Sequence, residues 1–305
     1  MLTTLQFAFG QGIRSDTDIW YRYLQEVGRG KNATTILVVP SSGPYRGVPF
    51  ALKIFQRTSN EESRRRFLRE IAFLQQCAHP AIMRVYDSGV FRVGDEEFPF
   101  VVAEYLPLRL YDIIRNNSAS IPERLAYSLQ LISALDYLAS LRPAVVHRDV
   151  KPENIFVKGR SCVLGDFGLM KRITATGRPS IDVTRESSGA VMPLNYRTPD
   201  LIAYSRGRAQ ITPKSDVFQL GLVLAELFTG RNPSRPAANE DDDLVLDRLG
   251  FIPSEALGGL IHSIVTEMLC YNPATRIDAS TLFDKWQTAF FTGAESAYRL
   301  NGRVL

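Results

Sequence analysis

The run His147-Arg148-Asp149-Val150-Lys151-Pro152-Glu153-Asn154, followed twelve residues after Asn154 by Asp166-Phe167-Gly168, constrains this chain more than any other feature. It sets a carboxylate five residues before an amide, and a second carboxylate a short hairpin later. Hard oxygen donors at that spacing, with Lys151 between them, suit the handling of magnesium and phosphate groups.

The chain has 305 residues, 45% of them hydrophobic, enough for a large core and one or two domains. Its net charge of +4 comes without a dense Lys/Arg block, so no nucleic-acid partner is expected. Arg64-Arg65-Arg66 reads as one solvated helix face. Cys77, Cys162 and Cys270 are odd in number, far apart and without a C-x-x-C pair, which predicts reduced thiols and a cytoplasmic location. The first ten residues lack a basic stretch and a long apolar one, a poor match to a signal peptide. No run approaches the roughly 20 apolar residues of a membrane span, so no membrane insertion is expected.

Residues 1–20 read as an N-terminal extension. Strand signals follow at Tyr21–Leu24, Thr34–Val39 and Phe50–Phe55, with a turn at Ser41-Ser42-Gly43-Pro44. A helix comes next: Ser59 and Glu62 form a candidate capping box, and Phe67, Ile71 and Leu74 make one apolar face. Further short strands are expected at Ile82–Val85, Gly89–Val93 and Phe98–Ala103. Beyond residue 104 the pattern is mostly helical. Leu125–Leu141 is amphipathic, whereas Val217–Phe228 is apolar nearly all round and must be buried on every side, with Gly230 placed to stop it.

The order H-R-D-x-K-x-x-N then D-F-G resembles the catalytic domain of eukaryotic-type (Hanks-type) serine/threonine protein kinases, over residues 21–286. The resemblance implies an α+β, two-lobed fold: a small antiparallel β-sheet lobe with one key helix, then a larger, mostly helical lobe. It divides the chain into the extension 1–20, an N-lobe 21–103, a C-lobe 104–286 and a C-terminal tail 287–305. The hinge falls at about 104–108 and the activation segment at 166–200.

By the same resemblance the chain uses ATP and Mg2+. Asp149 is the catalytic base and Lys151 neutralises the γ-phosphate, while Asn154 and Asp166 are the metal ligands. Gly28-Arg29-Gly30-Lys31-Asn32-Ala33 is similar to the glycine-rich loop, with Ala33 in place of its third glycine. Lys53 binds the α- and β-phosphates. Glu70, a carboxylate on the apolar side of its helix, is costly unless paired, and Lys53 is the natural partner. Thr35, Ala51 and Phe156 enclose the adenine ring. Glu104 and Leu106 lie in the hinge whose backbone meets the adenine edge, and Ala103 guards the back pocket, enlarged because alanine is small. Asp216 holds the backbone of the catalytic loop, and Asp200 pairs with Arg276.

Arg148 before the catalytic aspartate is the arrangement in which arginine captures a phosphate on the activation segment, and Thr184, Ser187 and Ser188 are candidates to carry one. Lys151 is typical of serine/threonine kinases, whereas Pro193 resembles the tyrosine-kinase pattern; serine/threonine transfer to protein substrates is favoured over dual specificity. Self-association for trans-autophosphorylation fits the same reading. Glu153 and the run Glu240-Asp241-Asp242-Asp243 are candidates to meet a basic residue of a substrate. Two alternatives compete. A small-molecule kinase is disfavoured by the long segment ending in Tyr196-Arg197-Thr198-Pro199-Asp200, and a non-catalytic scaffold by the complete catalytic set.

Overall fold

Thr34, Ile36, Val38 and Pro40 are buried while the residues between them are half-exposed, the period-two pattern of a strand with one face on a core. They lie in a six-stranded antiparallel sheet, β1 (Gly12–Arg14), β2 (Trp20–Arg29), β3 (Ala33–Pro40), β4 (Phe50–Phe55), β5 (Val85–Val93) and β6 (Glu96–Glu104), in the order β1-β2-β3-β4-β6-β5. The computed structural model describes residues 5–30, 32–56, 60–173, 194–235, 243–250, 252 and 257–301. The chain divides into two units, Met1–Pro107 and Leu108–Leu305. These are the sheet-rich small lobe and the mainly helical large lobe of a two-lobed α+β fold.

In the first unit one sheet face packs Ile36, Val38, Leu52, Ile54, Phe98, Phe100 and Val102 together with Leu5, Ile13 and Tyr21. The first twenty residues therefore contribute to this core, and β1 pairs with β2. The buried carboxylate of Asp87 accepts hydrogen bonds from Thr17 Oγ1 at 2.7 Å and Tyr21 Oη at 3.0 Å. Burial, then Asp87, pushes the Tyr21 hydroxyl far above its ordinary range.

The opposite face carries α1 (Glu61–Gln76) through Phe55, Phe67, Ile71 and Val101. The expected capping box is corrected. Asn60 is the cap, accepting from the Ser63 amide at 2.9 Å, and Ser59 lies outside the described residues. Arg65 and Arg66 meet Glu61 and Glu62 one turn earlier.

The second unit runs β7 (Leu108–Arg109), α2 (Leu110–Arg115), α3 (Ile121–Ser140), β8 (Ala144–Val146), β9 (Ile155–Lys158), β10 (Ser161–Leu164), β11 (Lys171–Ile173), α4 (Pro199–Ser205), α5 (Lys214–Thr229), α6 (Gly258–Met268) and α7 (Ala279–Asn301). Ser120 and Glu123 form a capping box at the start of α3. α5 is buried from Ser215 to Ala225 and ends at Gly230, whose φ of 74° suits glycine. A side chain at Gly221 would meet Met268 and Leu269 at 3.0 Å, so α5 and α6 approach too closely for anything larger. α7 continues past residue 286. Trp286 is fully buried and donates to Leu125 O at 3.3 Å, and Ala289 is buried as well. Among the described residues no helix is long and apolar enough to cross a membrane.

Candidate active site

Register places the small-lobe candidates. Gly28 pairs with Thr35, Thr35 with Lys53, and Lys53 with Val101, which makes one row across β2, β3, β4 and β6. Two residues along, Leu37, Ala51 and Ala103 make a second row on the same face. Thr35, Leu37, Ala51, Lys53 and Ala103 are all half-buried. Gly28, Lys53 and the residues of the second row therefore share one sheet face.

Gly28 and Gly30 adopt no left-handed backbone. A side chain at Gly28 would meet nothing within 4 Å, and one at Gly30 only Ala33 O at 3.6 Å. The fold itself does not require glycine there, and the open backbone suits close approach by a ligand. Ala33 begins β3 opposite Phe55. Glu104 ends β6, and Leu106 is buried just before the division at Pro107.

Lys53 Nζ lies 3.2 Å from Glu70 Oε1 and 3.5 Å from Oε2. Glu70 is buried on α1, and Phe67 lies beneath the ammonium at 5.8 Å from its ring centroid. The pair fixes where the lysine can reach.

In the large unit, the loop after β8 is clamped from below by α5. Asp216 accepts from the His147 amide at 2.7 Å and the Arg148 amide at 2.9 Å. Gln219, one turn along, accepts from the Val150 amide at 3.0 Å and donates to Arg148 O at 3.1 Å and Tyr196 O at 2.9 Å. Gln219 escaped the sequence reading, although an amide inside an all-apolar helix is a signal in itself, because buried polar groups need partners. Burial lifts the Asp216 carboxyl to about 7, against the pull of its two amide donors.

His147 is also buried. Its Nδ1 accepts from the Asp149 amide at 3.2 Å, so the proton sits on Nε2, which donates to Gly165 O at 3.1 Å. The ring stands edge-on to Phe167, 4.4 Å between centroids. Burial lowers its pKa to about 4, which keeps it neutral.

This frame presents Asp149. Lys151 Nζ donates to its two oxygens at 3.0 and 2.9 Å. Asn154 Nδ2 donates to Asp149 O at 2.9 Å and Oδ2 at 2.8 Å. Burial raises the Asp149 pKa, and Lys151 and Asn154 oppose that rise. Two oxygens facing one end of the Asn154 amide identify that end as nitrogen, so Oδ1 is the end left for a cation. Asp166 stands at φ 57° before the Phe167–Leu169 turn, and Arg148 at φ 71°. Left-handed backbone at two non-glycine residues costs about 1–3 kcal/mol each and concentrates at working sites.

Among the described residues no group of three or more His, Cys, Asp or Glu gathers as a metal site. One amide oxygen and one carboxylate fit Mg2+, which keeps several waters and needs few protein ligands. Phe156, on β9, pairs in register with Arg109, whose guanidinium lies 5.8 Å from the ring centroid.

Asp200 and Arg276 are joined at 3.0 Å and sealed from water. The short aspartate is supplemented by the Ser215 hydroxyl, which donates to its other oxygen. Thr184, Ser187, Ser188, Pro193 and Glu240–Asp242 lie outside the described residues; Asp243 pairs with Arg206 at 3.0 Å.

The sequence pattern of a family described as "Protein kinase domain" matches residues 21–286. A serine/threonine-protein kinase PknB of Mycolicibacterium smegmatis is 32% identical over 174 residues, which are 55% of this chain and 26% of the relative. A serine/threonine-protein kinase PknB of Mycobacterium tuberculosis is 32% identical over 223 residues, 69% of this chain and 33% of the relative. The chain thus spans about a quarter to a third of the length of these relatives.

Proposed function

Because the chain belongs to the protein kinase domain family, we propose that it transfers the γ-phosphate of ATP to serine or threonine hydroxyls of protein substrates. The observation that carries this reading is Asp149, ion-paired with Lys151 and hydrogen-bonded by Asn154 on a loop whose amides are held by Asp216 and Gln219. Such transfer asks the protein to position groups and balance charge more than to form bonds. The relatives' names support serine/threonine transfer, as does Lys151 two residues after Asp149.

In this reading Asp149 orients the acceptor hydroxyl and takes its proton, and Lys151 balances charge on the transferring group. Lys53, steadied by Glu70, binds the α- and β-phosphates. The open backbone at Gly28 and Gly30, continued by Ala33, receives the phosphate chain. Thr35, Ala51 and Phe156 contact the adenine, and the backbone of Glu104 and Leu106 takes its edge. Mg2+ supplies neutralisation of phosphate charge when bound, and Asn154 Oδ1 with the Asp166 carboxylate would hold it.

Substrate preference belongs to the same reading. Glu153 and Glu226 both line a cavity of about 750 Å³ with Tyr196, Asn232 and Arg231. The Tyr196 hydroxyl donates to Glu226, and burial together with the Glu153 charge raises the Glu226 pKa. The same recess holds Arg231, Arg235 and Asp247, and both arginines pair with Asp247, so Glu153 and Glu226 are the acids that would favour a basic side chain of the substrate. Self-association for trans-autophosphorylation is part of the proposal. So is a reducing, cytoplasmic setting, which the free thiols Cys77, Cys162 and Cys270 support.

The test is incubation with γ-labelled ATP and Mg2+ beside an Asp149→Asn variant, with casein and a panel of basic peptides as acceptors. Label on serine or threonine in the wild type and none in the variant is the expected result. ATP binding with no transfer to any protein, or transfer only to a small metabolite, sinks the proposal.

A further inference from the structure

Two buried cations of the large unit meet one aromatic ring that the reaction described above does not use. Lys171, the first residue of β11, is 7% exposed; its ammonium lies 4.3 Å from the centroid of Tyr204 and donates to the Tyr204 hydroxyl. Arg148, also 7% exposed, places its guanidinium carbon 5.6 Å from the same centroid.

Each cation sits on an arm that leads directly to a site carboxylate. Arg148 immediately precedes Asp149 and carries a left-handed φ of 71°. Lys171 follows the turn that Asp166 opens, and Met170 N closes that turn on Phe167 O at 3.0 Å. The two arms also meet through backbone, because Lys171 pairs in register with Val146, the residue before His147. Tyr204 itself stands on α4, and Thr198 caps that helix. One ring on a separate helix therefore touches the arm of Asp149 and the arm of Asp166.

Resting on the kinase reading, we propose that Tyr204 is a positioning residue for phosphoryl transfer: it holds Arg148 and Lys171, and through them sets the spacing between Asp149 and Asp166. A desolvated cation–ring contact such as that of Arg148 is worth on the order of tenfold in an equilibrium, and with the hydroxyl bond to Lys171 it couples the arms. The ring holds the Arg148 guanidinium and the hydroxyl holds the Lys171 ammonium. Tyr204→Phe keeps the ring, whereas Tyr204→Leu removes it at similar bulk.

The experiment compares wild type, Tyr204→Phe and Tyr204→Leu in the full chain after phosphatase treatment. Two readouts are taken: backbone amide exchange by mass spectrometry, and steady-state kinetics with ATP and a peptide acceptor. The expected result for Tyr204→Leu is exchange about tenfold faster in segments 147–151 and 166–173, with α5 unchanged. Its kcat falls about tenfold while KM for ATP stays within about twofold, and Tyr204→Phe, which keeps the ring and loses the Lys171 bond, speeds exchange in 166–173 while 147–151 stays within about threefold of wild type. Unchanged exchange in those segments, or faster exchange spread equally over α5, overturns the inference. So does Tyr204→Leu with wild-type kcat in an active preparation. If the wild type transfers no phosphate, the kinase reading fails by itself, and the exchange comparison still decides whether Tyr204 holds the two arms.

Discussion

Asp200 and Arg276, 76 residues apart in the chain, form an ion pair at 3.0 Å in which neither side chain is more than 2% exposed. Arg276 also donates to Lys214 O at 2.7 Å and Cys270 O at 2.8 Å, and its guanidinium lies over Phe218. It therefore ties α4, α5 and the turn after α6 to one point. Arg276→Met should lower stability by about 3–5 kcal/mol, because it leaves Asp200 as a buried charge without this partner. Urea denaturation measures the loss. A change below about 1 kcal/mol would show that the pair is replaceable.

Asp200 is one methylene shorter than glutamate, and Ser215 fills the difference by donating to its second oxygen. Asp200→Glu should therefore overpack the site and cost about 1–3 kcal/mol. The double variant with Ser215→Gly should recover part of that loss. Strict additivity in the double-mutant cycle would refute the coupling.

Glu70 is buried and Lys53 is its partner on the sheet. Lys53→Met should abolish transfer, down at least about a hundredfold in kcat/KM, and should also lower stability by taking the ammonium away from a buried carboxylate. Replacing both residues with methionine should restore stability without restoring transfer. Thermal melting and initial rates on the same samples separate the two effects.

The neutral, buried His147 makes stability depend on pH in a definite sense. Its pKa is about 4 in the folded chain against 6.5 when unfolded. The unfolded state binds more protons between those values, so this contribution is complete above pH 6.5 and is lost as pH falls to about 4. The loss is on the order of 3 kcal/mol over the window. Asp216, raised to about 7, acts in the opposite sense, losing stability as pH rises through its own window. It is common to wild type and His147→Phe, so the difference in denaturation midpoint between the two at pH 4.5 and 6.5 isolates His147. The variant should lose less stability on acidification; parallel curves would mean that the imidazole is not held neutral.

Ala51 and Ala103 are register partners across β4 and β6, so two methyl groups lie side by side on the sheet face that carries Lys53. ATP carrying a benzyl group on adenine N6 should compete with ATP in the wild type. Ala103→Leu should weaken that competition at least about tenfold while changing KM for ATP by about threefold or less. Equal inhibition of both proteins would place the benzyl group elsewhere.

The catalytic run, the Lys53 strand and the Gly230 stop could be read from the chain because each depends on near neighbours: fixed spacing, period-two alternation, or one residue able to take a left-handed turn. Residues 5–14 could not be recognised as part of the sheet unit, since Leu5 and Ile13 gain meaning only through Ile36, Leu52 and Phe100 beside them. The start of α1 was misplaced by one residue, because both Ser59 and Asn60 are capping types and only backbone geometry chooses between them.

By itself, then, the sequence determined which chemical groups this protein carries and their local order: Asp149, Lys151, Asn154 and Asp166 at set spacing, and Glu70 on a helix face that demanded a partner. Only the tertiary structure decided their environment. Burial holds His147 neutral and raises Asp149, and Gln219, Ser215 and Tyr204 take partners 15 to 71 residues away. Ionisation and hydrogen bonding depend on what surrounds a group in space, and for these residues the surroundings come from segments remote in the chain.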